Sequence, residues 1–526
     1  MLARVTSNLR NTFVLAALTA GLLGAAIKQP VKVEGGLVSG APGKDSSILA
    51  FKGIPFAAPP VGDLRWREPK PVVAWHGVRK ADKFSASCIQ HVVTERKPWT
   101  YEFMTHGDIS EDCLYLNVWT AAVSASERRP VFVYLYGGGF SEGSAAVPVY
   151  DGEGLAKKGL VVVTLNYRVG VLGFLAHSAL AAESNQHVSG NYGLLDQVAA
   201  LRWVHENIVR FGGDPTRVTI AGQSAGGMSV HDLTASPMAK GLFQRAIVES
   251  GGSSVGRSAM RLGPPTMSEA EAQGQKFAEA KGAKSLADLR AMSGEKLMEA
   301  LPGEGRLFFA PIPDGYYLPS SPPEVIAQGK QNDVVTLAGA NKDELGGFGP
   351  APGPVTAESF TKRARDSYGD QADEFLKLYP ARTDEEAKVA QSQSTRDQAL
   401  VSMYLWARVR AKTGKTSVYE YLWDHTLPGP DAARFGAFHT SEVPYVLNTL
   451  SMSDRPFTEA DRKIADMMSS YWANFAATGD PNGMGLPEWR PVGDQQEIME
   501  VGDKTAAISV AGSAEKFEFF KKYLLK

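Results

Sequence analysis

The residues of this sequence that could carry covalent chemistry are serines in glycine-rich turns, with a few histidines and carboxylates far from them along the chain. The stretch VTIAGQSAGGMSV, Val218 to Val230, holds Gly222-Gln223-Ser224-Ala225-Gly226, a Gly-x-Ser-x-Gly pattern. The pattern also fits Gly139 to Gly143 (GFSEG, with Ser141) and Gly252 to Gly256 (GSSVG, with Ser253). With 53 glycines in 526 residues, such a match arises by chance in roughly one chain of this kind in three, so context must decide. A serine hydroxyl is a weak nucleophile at neutral pH. It needs a base to take its proton and donors to hold the oxyanion that forms. A sharp strand-to-helix turn exposes Oγ on a strained backbone, and crowding at that turn demands small neighbours.

Ser224 meets these demands. The strand-like run Val218 to Ala221 leads into it, Gly222, Ala225, Gly226 and Gly227 are small, and Met228 to Ala235 can form a helix. Ser141 instead follows a triple glycine and precedes a loop-like stretch. Ser253 follows a strand, but SSVGRS is a poor helix start. Both read as loop serines beside the site.

The elements that must position Ser224 are legible as β-branched runs: Val131 to Tyr136, Val161 to Tyr167, Val218 to Gly222, Ala246 to Ser250, Asp333 to Ala340 and Ser417 to Trp423. Their continuous apolar character predicts strands covered on both faces. Between two of them, Leu194 to Gly212 places Leu194, Val198, Leu201, Val204 and Ile208 near one helix face. This alternation predicts an α/β fold with a mostly parallel central sheet flanked by helices. Two Ala-, Glu-, Lys- and Leu-rich segments, Arg257 to Leu307 and Phe360 to Arg410, break the alternation and read as helical cap excursions from that sheet.

Composition sets the remaining bounds. A hydrophobic content of 44% with 21% charged residues is globular, and a net charge of -2 gives no reason to expect a nucleic-acid partner. Arg4 and Arg10 precede an apolar run from Phe13 to Ile27 that ends in small residues. Residues 1–26 are therefore expected to be a cleaved secretory signal peptide, leaving 27–526 as a single domain. The alternative, an uncleaved membrane anchor, needs a longer apolar run, of about 20 residues; no stable anchor is expected, and the protein should be secreted or periplasmic. Cys88 and Cys113 are the two cysteines. They are too few for a four-ligand zinc site, and in an exported protein they are expected to form one disulfide.

Several motifs resemble one family. FGGDPTRVTIAGQSAG (Phe211 to Gly226) is similar to the serine signature of type-B carboxylesterases, the cholinesterase-like branch of the α/β-hydrolases, and EDCLYLNVW (Glu111 to Trp119) resembles their second signature. Phe51 to Trp66, Asn166 to Leu175, Gly190 to Gln197 and Tyr471 to Asn482 match in the same order. The resemblance spans about residues 30 to 520 and implies the α/β-hydrolase fold; with the expected leader and no Asn-x-Ser/Thr acceptor, a bacterial secreted member is expected.

That family uses Ser, Glu and His in chain order. Within Gly339 to Gly347 either Asp343 or Glu344 could serve on chemical grounds; the resemblance selects Glu344, although Leu345 stands where relatives have glycine. Two histidines follow this acid. His425 closes a strand-like run, whereas His439 sits in a small-residue loop that resembles the family's histidine loop. By the same resemblance, Gly138, Gly139 and Ala225 donate the oxyanion N–H groups. Phe308 and Phe309, with Tyr316 and Tyr317, would line the acyl side of a substrate pocket. Arg65 with Glu111 and Arg168 with Asp196 resemble structural ion pairs. The implied activity is hydrolysis of small carboxylic esters through an acyl-enzyme, with no metal or other cofactor. The alternatives are a non-catalytic adhesion or binding protein on the same fold, in which a triad member is generally missing, and an amidase or acyltransferase using the same residues. Gln223 replaces the glutamate that many relatives carry before the serine. Phe103 replaces the tryptophan that stacks on choline, with Trp99 nearby as a possible substitute. These departures argue against a dedicated choline esterase.

Overall fold

The structure is a computed structural model, and it describes residues 27–255, 265–299, 307–344 and 354–525. The expected signal peptide and Leu345 lie outside them. A sheet of 11 strands is the frame. In chain order these are β1 (Ala41–Pro42), β2 (Leu49–Pro55), β3 (Tyr115–Thr120), β4 (Arg129–Leu135), β5 (Val161–Leu165), β6 (Gly213–Gln223), β7 (Arg245–Glu249), β8 (Val335–Asn341), β9 (Val418–Asp424), β10 (Glu497–Gly502) and β11 (Ala506–Ser509). Across the sheet the order is β11-β10-β9-β8-β7-β6-β4-β5-β3-β2-β1. The strands from β10 to β5 in that order are parallel. Antiparallel strands finish both edges.

The parallel strands β4 to β9 are the predicted ones. Their runs are covered on both faces, as Val131 to Val133 and Val161 to Val163 show by being almost wholly buried. The helix Tyr192–Asn207 crosses between β5 and β6, and its predicted face holds: Leu194, Val198, Leu201 and Val204, with Ile208 just beyond, are all buried. The strands toward the two edges, β1, β2, β3, β10 and β11, were not predicted. β1, β10 and β11 carry exposed or half-buried residues in place of a continuous apolar run.

Both excursions are helical. The first contains Met267–Ala280, Leu286–Ala291 and Gly294–Met298; the second contains Ala357–Tyr368, Ala372–Leu378 and Asp384–Thr413. The second is more than a surface cap. Phe360, Phe375 and Tyr379 pack with Phe517, Phe519 and Phe520 of the C-terminal helix Ala514–Leu524 into an apolar cluster of their own. Among the described residues no helix is long and apolar enough to cross a membrane.

The turns that follow β4, β6, β7, β8 and β9 leave the sheet at one edge, the carboxyl ends of its parallel strands. In open α/β sheets that edge is where sites form.

Candidate active site

Ser224 sits between β6 and the helix Ala225–Ala235 with φ 58° and ψ -124°, a conformation that costs a non-glycine residue of order 1–3 kcal/mol. The surroundings hold it there. Its N–H donates to the Glu249 carbonyl at 2.9 Å, and its carbonyl accepts from Met228 N at 2.9 Å. The small neighbours are a steric necessity: a Cβ on Gly226 would lie 2.0 Å from the Leu135 carbonyl oxygen.

The triple-glycine turn after β4 lies against this elbow. A Cβ on Gly137 would stand 3.0 Å from the Ser224 Cβ. Gly138 has φ 114° and Gly139 φ 60°. Among the described residues the N–H groups of Gly138, Gly139 and Ala225 donate to no protein acceptor. For Ala225 this is the ordinary state of a first-turn helix N–H.

The two adjacent carboxylates divide their work. Glu344 Oε2 meets His439 Nδ1 at 2.5 Å, while its Oε1 accepts from Ser250 Oγ at 2.5 Å and from Asn341 N at 2.8 Å. Asp343 instead accepts from the Ala437 backbone N–H at 2.9 Å and bonds the histidine loop as backbone. Burial alone would raise the Glu344 pKa. The charge of His439 and the hydrogen bonds from His439, Ser250 and Asn341 outweigh it and hold the carboxyl below its usual 4.5. With Nδ1 turned to the Glu344 carboxylate, Nε2 is the ring nitrogen that faces the serine elbow. It lies 3.3 Å from Gln223 Nε2, one residue before Ser224.

The other histidines near these elements are engaged elsewhere. His425 is held between Asp503 at 2.6 Å and Asp461 at 3.0 Å. His231 is buried with Nε2 2.9 Å from Ser253 Oγ, and burial, aided by the charge of Arg410, pushes its pKa down to about 3. Ser141 turns its Oγ back to the Gly139 carbonyl.

The cysteines form the expected disulfide, Cys88 to Cys113, and the loop it closes braces both sides of the site. Gln90 exchanges two hydrogen bonds with the Gly143 backbone, each 2.8 Å, and Arg96 grips Glu142 with two. Trp99 Nε1 donates toward the His439 carbonyl at 3.2 Å. Phe103 is buried against Phe438, with the Arg455 guanidinium over its ring at 5.9 Å, so its face is already taken. Both expected ion pairs exist. Arg65 bridges Glu111 and the Met292 carbonyl, and Arg168 binds Asp196 through two nitrogens in full burial.

The aromatic wall is less uniform than expected. Phe308 is 57% exposed, whereas Phe309 packs edge-on against Phe277 at 5.5 Å. Tyr317 is wholly buried core and Tyr316 half-buried. Sequence reasoning also missed Ser250, Asn341 and Glu442, which surround the Glu344 and His439 pair. Their one signal is position, each standing at the end of a strand or within three residues of a named group.

Comparison with known proteins points to one family. The carboxylesterase family model matches residues 28–520. A fumonisin B1 esterase of Sphingopyxis macrogoltabida is 37% identical over 96% of this chain and 92% of its own length. A human cocaine esterase is 33% identical over 92% of this chain and 88% of its own. A rabbit liver carboxylesterase 1 is 33% identical over 90% and 89%. With its 11-stranded α/β-hydrolase sheet, the chain belongs to the carboxylesterase family and is a carboxylic ester hydrolase.

Proposed function

We propose that this enzyme cleaves carboxylic esters through a Ser224–His439–Glu344 triad and an acyl-enzyme. The observation that carries the reading is the 2.5 Å contact of Glu344 with His439 Nδ1, beside a strained serine elbow. In the first step His439 Nε2 removes the Ser224 proton while Oγ attacks the ester carbonyl carbon. Glu344 keeps Nδ1 protonated and stabilises the imidazolium that forms. The tetrahedral oxyanion is held by the N–H groups of Gly138, Gly139 and Ala225. His439 then protonates the departing alcohol. Water, deprotonated by the same ring, releases the acid and restores Ser224. Nothing in this sequence of steps calls on a metal or an organic cofactor.

The substrate we infer is a small uncharged or aromatic ester, with Phe308 and Phe309 on its acyl side. With Gln223 in place of an anion and the Phe103 face occupied, we expect no preference for quaternary ammonium esters. Residues 27–526 act as one hydrolase unit, exported by the leader 1–26; the Cys88–Cys113 disulfide supports an oxidising destination. Hydrolysis of a p-nitrophenyl ester series by residues 27–526 tests the reading, with Ser224→Ala as control. Turnover should fall by about four to six orders of magnitude in the variant. A variant as active as the wild type would refute the role of Ser224.

A further inference from the structure

We propose that Asn341 and Glu442 are positioning residues, a buried amide–carboxylic acid clamp that fixes Glu344 and the His439 loop relative to one another. The proposal rests on the ester-hydrolase reading above. Asn341 ends β8, three residues before Glu344. Its backbone N–H donates to Glu344 Oε1 at 2.8 Å. Its side-chain Nδ2 donates to the Phe438 carbonyl at 2.7 Å and to Glu442 Oε2 at 2.5 Å, with Ser441 Oγ further off at 3.4 Å. One residue therefore grips the acid through its backbone and both flanks of His439 through its side chain. Among uncharged side chains only an amide does this: two N–H hydrogens are needed on one atom, facing two acceptors.

The cost of the arrangement shows that it is specific. Asn341 Oδ1 and Glu442 Oε1 are both buried and have no hydrogen-bond partner among the described residues. A buried polar atom left so costs about 1–3 kcal/mol, and core apolar residues would avoid it. Glu442 is fully buried, and among the described residues the Asn341 amide is its one side-chain donor and no cation pairs with it. Burial first, then the neighbouring carboxylates of Glu249 and Glu344, push its pKa well above the carboxylate range. The neutral acid can accept from Asn341 without setting a second negative charge against Glu344, so the imidazolium formed in turnover is drawn toward one carboxylate only.

The test compares kcat and KM for p-nitrophenyl acetate, with melting temperature measured alongside. Asn341→Asp keeps the shape and removes both donors; Glu442→Ala removes the acceptor. Each should lower kcat about 10- to 100-fold with KM within about twofold, as expected when geometry and not binding is lost. Glu442→Gln, neutral and of the same shape, should restore kcat to within about threefold of wild type, whereas Glu442→Met, of similar volume but without an oxygen acceptor, should stay as impaired as Glu442→Ala, which a purely packing role would not produce. Glu442→Gln as impaired as Glu442→Ala would overturn the neutral clamp, as would Asn341→Asp at wild-type kcat. A wild type inert toward esters, or unaffected by Ser224→Ala, would instead remove the hydrolase reading beneath it.

Discussion

Glu344 and Asp343 are neighbours that face different atoms of one loop: the first meets the His439 ring at 2.5 Å, the second the Ala437 backbone N–H at 2.9 Å. Glu344→Gln should lower kcat by about two to four orders of magnitude, because an amide does not stabilise the imidazolium or fix its tautomer. Asp343→Asn should lower the melting temperature while kcat falls less than about tenfold. Steady-state kinetics on both variants check this, and the reverse ranking would exchange their roles.

The elbow depends on backbone packed against backbone. A Cβ on Gly226 would stand 2.0 Å from the Leu135 carbonyl oxygen, which belongs to β4 and cannot rotate aside. Gly226→Ala is expected to cost more than about 3 kcal/mol, measured by urea unfolding, and to abolish activity in whatever fraction folds.

The disulfide loop braces the Gly143 turn through Gln90 and the histidine loop through Trp99. Its closure spans a sequence separation of 25, for which chain entropy gives about 3–4 kcal/mol. The double variant Cys88→Ser, Cys113→Ser should therefore melt at a lower temperature. It should also lose kcat below its own melting range, which a purely global effect on stability would not produce.

Glu249 supplies a pH test. Burial raises its pKa to about 7, against the pull of hydrogen bonds from Trp472 and Tyr134. Between the usual carboxylate value and about 7 the folded state holds a proton that the unfolded chain releases. Stability should then fall as pH rises through that window and level off above it. Glu249→Gln should remove that decline. Melting curves from pH 4.5 to 8 measure it, and parallel curves for the two proteins would contradict the assignment.

Much of this site could be read from local sequence. Val218 to Gly227 is a β-branched run followed by small residues, so the elbow is written in contiguous positions. The central parallel strands β4 to β9 were legible because burial on both faces makes them continuously apolar. Strands β10 and β11 lie at an edge with exposed positions, and that signal vanishes. Asp343 and Glu344 carry the same chemistry one residue apart, and only the path of the histidine loop separates them. Asn341, Ser250 and Glu442 act through partners up to 101 residues away, a relation that no local pattern encodes.

The most direct measurement is the site of covalent capture. An alkyl fluorophosphonate, which phosphonylates an activated serine, should add once per chain and lie on the peptide carrying Ser224. Ser224→Ala should show no adduct, and His439→Ala should label at least about a hundredfold more slowly. An adduct on Ser141 or Ser253, or full inactivation with Ser224 unmodified, would contradict the account.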